Sequence, residues 1–174
     1  QMCISDIDGK NEQILFTSKA PIMSPDWSPD RKKIAYVSFE NGLAEIFIQD
    51  LKSGERDSIQ ALGMTNSAPV WSPDGKSLAM VVSFSGNPDI FLYSINNKRL
   101  IRLTNHYGID TEPSWSPDSK KIIFTSDRSG SPQLYEINTK SKRKKRLTRD
   151  GNYNARGRYL SLIHISEPTR LDHI

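Results

Sequence analysis

Cysteine occurs once in the 174 residues, at Cys3, so the chain can build neither an internal disulfide nor a thiolate metal cluster. Histidine occurs three times, at 106, 164 and 173. With no Gly-x-Ser-x-Gly elbow beside them, a hydrolase triad or a histidine zinc site lacks its parts. Asp6-Ile7-Asp8-Gly9 has the look of the start of a calcium loop, but the later acidic ligands are missing at the required spacing, and it reads as a turn. No apolar run approaches the ~20 residues that a membrane-spanning helix needs, and no segment repeats its apolar residues with a helical period. Neither a catalytic constellation nor a metal or cofactor site is expected.

Charge is also unevenly supplied. The formal balance is +4 over the whole chain, whereas residues 1–159 carry 23 basic and 18 acidic side chains. Six of those positives sit together, in Lys140, Lys142, Arg143, Lys144, Lys145 and Arg146. Without that run the remainder is close to neutral, so a domain-wide basic footprint for nucleic acid is missing. The run itself has two readings. Clustered cations contact phosphates of nucleic acid or an anionic membrane, or they form a solvated hairpin tip whose like charges blunt a sheet edge. No aromatic residue is interleaved from 140 to 148 to stack on bases. That favours the hairpin tip, with no nucleic-acid partner.

What the sequence does have is a repeat. Trp27, Trp71 and Trp115 are 44 residues apart, and each opens Trp-Ser-Pro-Asp. In the same ungapped frame Pro25, Pro69 and Pro113 form a column, as do Ile46, Ile90 and Leu134, and Phe47, Phe91 and Tyr135. Arg102-Leu103-Thr104 returns as Arg146-Leu147-Thr148. A period of ~40–45 residues is that of a propeller blade. Each Ser-Pro-Asp supplies a turn, with Pro presetting the backbone and Asp bonding to it. Short β-rich runs follow at 34–37, 78–82 and 122–125, then turn clusters at Glu40-Asn41-Gly42, Ser85-Gly86-Asn87 and Arg128-Ser129-Gly130. A third run covers 45–51, 89–95 or 133–139, and a fourth ends at Ile59, Leu103 or Leu147. The expected fold is all-β: an incomplete β-propeller of about three and a half four-stranded blades.

The frame also marks where the repeat stops. Gln1 falls at the entry to a third strand, and Tyr159 stands where a fourth tryptophan is due. Leu160-Ser161-Leu162 then replaces Ser-Pro-Asp, and the run LSLIHISEPTR resembles the translation of a sequencing-library adaptor. Residues 1–159 are therefore read as the propeller fragment and 160–174 as a non-native tail. A divergent C-terminal strand is the alternative for that stretch.

Strand parity places the variable residues. If the Ser-Pro-Asp turns define the bottom, the blade-to-blade connections lie at the top and lead into the strand lining the central channel. They read Pro21-Ile22-Met23-Ser24, Met64-Thr65-Asn66-Ser67-Ala68 and His106-Tyr107-Gly108-Ile109-Asp110-Thr111-Glu112, with an incomplete fourth from Asn152 to Arg156. Varied residues on a fixed frame suit recognition. The lysine-rich hairpin falls on the opposite face. Pro and Trp of each Pro-x-Trp read as packing residues between blades, and Thr111 and Glu112 have a plain alternative in bonding to neighbouring backbone.

The segments PIMSPDWSPD, KKIAYVSFENG, SAPVWSPDGKSLA, TEPSWSPDSKKIIFTSDRSGSPQLY and RLTRDGNYNAR resemble the TolB family, the periplasmic propeller proteins of the Tol–Pal cell-envelope system in Gram-negative bacteria. The likeness covers 1–159 and implies about the first four blades of six. It implies a monomeric, non-enzymatic scaffold that binds the lipoprotein Pal at the channel mouth. It further implies contact with TolA through an N-terminal domain missing here, association with membrane only through partners, and exploitation by colicins. Outer-membrane integrity and cell division would depend on it. Carried over by position, the Pal-facing residues are Thr65, Ala68, Thr111 and Glu112. Thr65 departs from the histidine of the family's pattern. Glu112→Lys is expected to weaken Pal binding without lowering the melting temperature. The competing reading is the propeller gate of a prolyl-oligopeptidase-like serine hydrolase. A sugar-processing propeller enzyme fits less well, because no cluster of histidines or acids is present.

Overall fold

The computed structural model describes residues 2–4, 10, 13–59, 65–84 and 86–160. The Asp6–Gly9 turn, Met64, Ser85 and the tail from 161 onward lie outside the described residues, and Leu160 is exposed. A two-stranded sheet of β1 (Met2–Ile4) and β2 (Gln13–Phe16) is followed by three four-stranded antiparallel sheets. The first holds β3 (Ile22–Trp27), β4 (Lys33–Ser38), β5 (Glu45–Asp50) and β6 (Arg56–Ile59). The second holds β7 (Thr65–Trp71), β8 (Ser77–Phe84), β9 (Asn87–Ser94) and β10 (Arg99–Arg102). The third holds β11 (Asp110–Trp115), β12 (Lys121–Ser126), β13 (Gln133–Asn138) and β14 (Lys144–Arg146). Each is a simple meander in sequence order, and β3, β7 and β11 pack on one another in turn. These are blades around an axis, with β1 and β2 the outer half of a preceding blade.

The turn chemistry repeats as the sequence does. In the first copy the Ser28 hydroxyl donates to Asp30 Oδ1 at 2.6 Å, and the Lys32 N–H donates to the same oxygen at 3.1 Å. Ser72 with Asp74 and Ser116 with Asp118 repeat both contacts. The hydroxyl and amide donors hold Asp30 and Asp118 below the usual carboxylate range. The tight turn requires a left-handed residue, met by Arg31 at φ 58°, Gly75 at 69° and Ser119 at 58°. Glycine takes that conformation at no steric cost, and the other two copies bear a strain that the ladder on either side must hold.

The core lies between blades. In β8, Leu78, Met80 and Val82 face Ala35, Val37 and Ile46 of the first blade, with Trp71 of their own sheet in the same cluster. Ala79 and Val81 face the third, against Ile122, Phe124 and Trp115. A strand buried on both faces reads as a continuous apolar run, which is how 78–82 appears in the sequence. The Phe47, Phe91, Tyr135 column carries guanidinium groups over its rings: Arg56 at 5.1 Å, Arg102 at 6.0 Å and Arg128 at 4.9 Å.

The Arg-Leu-Thr motif latches the outer strand. Thr104 Oγ1 accepts the Ile90 N–H at 2.9 Å and donates to Asp89 Oδ1 at 3.0 Å. Thr148 does the same with the Leu134 N–H at 3.0 Å and Gln133 Oε1 at 2.7 Å. The regular strands end at Arg102 and Arg146, one residue before the expected Leu103 and Leu147. Both leucines still donate a backbone bond to the neighbouring strand.

Candidate protein-binding rim

Every complete blade breaks register once, in its innermost strand: between Met23 and Asp26, between Ser67 and Val70, and between Thr111 and Ser114. One residue in each break is left-handed, namely Ser24 at φ 49°, Ala68 at 49° and Glu112 at 54°, and Arg156 repeats the position at 55°. None is glycine, although the left-handed region costs a side-chain-bearing residue roughly 1–2 kcal/mol. Such bulges re-aim side chains. Here Ser24, Ala68, Glu112 and Arg156 line one concavity of about 330 Å³ on the channel side, together with Asp26 and Arg158.

This corrects the expected location of the candidate residues. Thr65, Ala68, Thr111 and Glu112 lie within strands β7 and β11, and not on connecting loops. Their segments continue pairing with β8 and β12 up to the bulge, as in Thr65 with Ser83 and Thr111 with Thr125. Ala68 and Glu112 are brought together at the concavity, while Thr65 and Thr111 do not line it. Thr65 is exposed at the start of its strand, and Thr111 is half-buried.

The connections share an end with the β8–β9 and β12–β13 turns, as strand parity requires. Asn87 Nδ2 donates to the His106 carbonyl, and the Ile109 N–H donates to Asp127 Oδ1 at 2.7 Å. His106 Nδ1 accepts the Gly108 N–H at 2.9 Å, which fixes the turn behind Tyr107. That leaves Tyr107 85% and Tyr153 74% exposed at this end.

Glu112 is more committed than its exposure suggests. Its carboxylate accepts from Thr125 Oγ1 at 2.9 Å, from the Arg156 N–H at 3.1 Å and from Arg156 Nε at 2.8 Å. Burial pushes the carboxyl up, but bonds from Arg156 and Thr125 and the Arg156 charge outweigh it and hold Glu112 below its ordinary value. The side chain is a clasp between the third blade and the next inner segment. Lysine there therefore disturbs the fold as well as the rim, which revises the expectation of an unchanged melting temperature.

Asp26 has the opposite balance. Its Oδ2 accepts the Trp71 N–H at 2.6 Å. Burial raises its carboxyl above the usual range, only partly offset by that bond and by the charge of Arg158. Asp110 is fully buried and held by Arg128, whose terminal nitrogen bridges both oxygens at 2.7 and 2.6 Å. Among the described residues no three His, Cys, Asp or Glu side chains converge as metal ligands do.

Asp26 and Arg158 were not singled out from sequence, whereas Asp110 and Arg156 fell within the candidate connections and Arg128 within a turn cluster, none with a role of its own. Asp26 and Arg158 share a column with Val70 and Ser114, so only the break in residue type could have marked them. Tyr159 does replace the tryptophan as expected: it is half-buried, and its hydroxyl donates to Glu136 Oε2 of the preceding blade at 2.5 Å.

Radially packed four-stranded meanders, each with a bulged inner strand facing a shared channel, define a β-propeller arc that offers a rim. The chain belongs to the TolB beta propeller domain family, whose model matches residues 1–163. Over 68 residues it is 52% identical to the Tol-Pal system protein TolB of Wigglesworthia glossinidia brevipalpis, covering 39% of this chain and 16% of that relative. It is also similar to the crystal structure of TolB from Acinetobacter baumannii, with a TM-score of 0.82 and 47% identity, over 90% of this chain and 39% of that one. The chain thus spans well under half of either relative. A prolyl endopeptidase matches with a TM-score of 0.65 at 18% identity, over 82% of this chain and 25% of that one, a likeness of fold alone.

Proposed function

We propose that this chain is the propeller portion of a non-enzymatic scaffold of the Tol–Pal system in the periplasm of a Gram-negative bacterium. Its channel mouth binds the lipoprotein Pal. Ala68 and Glu112 contribute from the channel wall, with Thr65 and Thr111 beside them. TolA contact belongs to a region outside residues 1–159, and outer-membrane integrity and division follow from these partnerships. The residues 160–174 are taken as foreign to this role. The observation that carries the reading is the convergence of Ala68, Glu112 and Arg156 on one concavity, in a chain whose relatives are Tol-Pal system proteins. The gate of a prolyl-oligopeptidase-like hydrolase draws only on likeness of fold. Titration calorimetry of Pal against the protein tests the proposal: a saturable complex weakened by Ala68→Arg supports it, and binding indifferent to that substitution removes the rim from the interface.

A further inference from the structure

The third blade's outer edge bears a charge that its fold does not require. The equivalent hairpin of the first blade carries Lys52 and Arg56 against Glu55 and Asp57, and that of the second carries Lys98, Arg99 and Arg102. All three form the same antiparallel pair, with Gly54, Lys98 and Lys142 as the left-handed turn residue. One or two charges protect an edge strand, yet the third hairpin has six cations. Two of these have internal duties: Lys142 Nζ donates to the Arg102 carbonyl at 3.0 Å, and Arg146 Nε to the Thr148 carbonyl at 2.6 Å. Lys140, Arg143 and Lys144 are exposed, and among the described residues their side chains form no ion pair or hydrogen bond.

We propose that this edge is a docking surface for an anionic lipid bilayer, contacted by Lys140, Arg143 and Lys144. β14 is the outermost strand of its sheet. Blades stack face to face, so neighbours on either side leave this edge on the perimeter. Long cationic stems projecting from one hairpin suit a plane of headgroups, to which clustered Lys and Arg adsorb electrostatically. Leu147, 38% exposed, adds an apolar foothold beside them. Single-stranded nucleic acid would call for stacking aromatics, and none stands between 140 and 148. A peptide adding as a strand would meet a lysine-bearing edge, which opposes such pairing. The inference is independent of the rim's partner, and it departs from the solvated hairpin tip favoured on sequence and from the membrane association through partners alone that the family resemblance implies.

Co-sedimentation of the whole chain with vesicles tests it. Binding is expected to vesicles containing phosphatidylglycerol and not to pure phosphatidylcholine, and to fall with salt. At roughly fivefold per cation, the combined variant Lys140→Gln, Arg143→Gln, Lys144→Gln binds about a hundredfold more weakly. Lys19→Gln, Lys32→Gln, Lys52→Gln removes the same charge from exposed positions in and before the first blade, away from this hairpin, and retains binding. Circular dichroism confirms that both variants stay folded. Equal loss in the two variants, no binding to anionic vesicles, or capture of a DNA duplex in place of vesicles overturns the proposal.

Discussion

Glu112 grips Arg156, the residue at its own position in the next repeat, through both the backbone N–H at 3.1 Å and the guanidinium Nε at 2.8 Å. Both residues are left-handed, Glu112 at the bulge of β11 and Arg156 at the equivalent repeat position, outside any strand. One side chain therefore fixes the next inner segment's path and that segment's charge at the channel wall. Ala68, in the preceding copy, has no side-chain group able to do this, so the clasp is particular to the third blade.

Glu112→Lys removes the acceptor for Thr125 Oγ1 and the Arg156 N–H and sets a like charge against the guanidinium. The loss is of the order of 1–2 kcal/mol, read as a lower melting temperature in calorimetry. Glu112→Gln keeps an acceptor oxygen and loses less. A lysine variant that melts with the wild type would show that the clasp carries no weight. Binding assays at the rim should use the glutamine variant, in which partner contact and fold are separable.

The clasp also has a pH signature. Glu112 lies below its ordinary value of 4.5 in the folded state. An acid with a depressed folded pKa stabilises the fold above its unfolded value and loses that contribution as pH falls through the folded one. The melting-temperature difference between wild type and Arg156→Gln should therefore be full at neutral pH and shrink below pH 4.5. A difference that stays constant down to strongly acid pH would remove the ion pair from the stability of this segment.

The blades were legible in the sequence because their markers are local. Ser-Pro-Asp turns, the Pro-x-Trp columns and the Arg-Leu-Thr latch act within one repeat or between neighbours, so each copy restates them. The bulge was not legible. Its column reads Ser24, Ala68, Glu112, Arg156, with no shared residue type and no glycine to announce a left-handed backbone. The candidate residues were placed on loops for that reason: pairing that resumes across a bulge leaves no trace in periodicity. Nor could a linear frame bring Asp26 and Arg158 to one concavity, since their proximity depends on the curvature of the arc.

Asp26 offers a test of that curvature. Burial raises its carboxyl above 3.8, so ionisation opposes folding: its contribution is most favourable below the unfolded pKa and is lost as pH rises through the folded one. Asp26→Asn keeps an oxygen for the Trp71 N–H without the charge. The variant should melt above wild type near pH 7, with the advantage vanishing as the medium approaches pH 3. If it melts below wild type at neutral pH, attraction to Arg158 outweighs burial, and the two residues are coupled more tightly across the channel than burial of Asp26 allows.

Two tryptophans of one column should respond differently to the same substitution. Trp71 and Trp115 are buried to 6% and 8% exposure between successive blades, so phenylalanine leaves a similar void at each. The Trp115 indole N–H donates to the Val70 carbonyl of the preceding blade at 3.0 Å. The Trp71 indole N–H is buried with no hydrogen-bond partner among the described residues. Trp115→Phe forfeits a blade-to-blade bond and strands a carbonyl, whereas Trp71→Phe removes an unsatisfied donor. The first should destabilise by about 1–2 kcal/mol more than the second, measured by chemical denaturation of each variant. Equal losses would mean that the column acts through shape alone and that the indole bond to Val70 contributes nothing to holding adjacent blades in register.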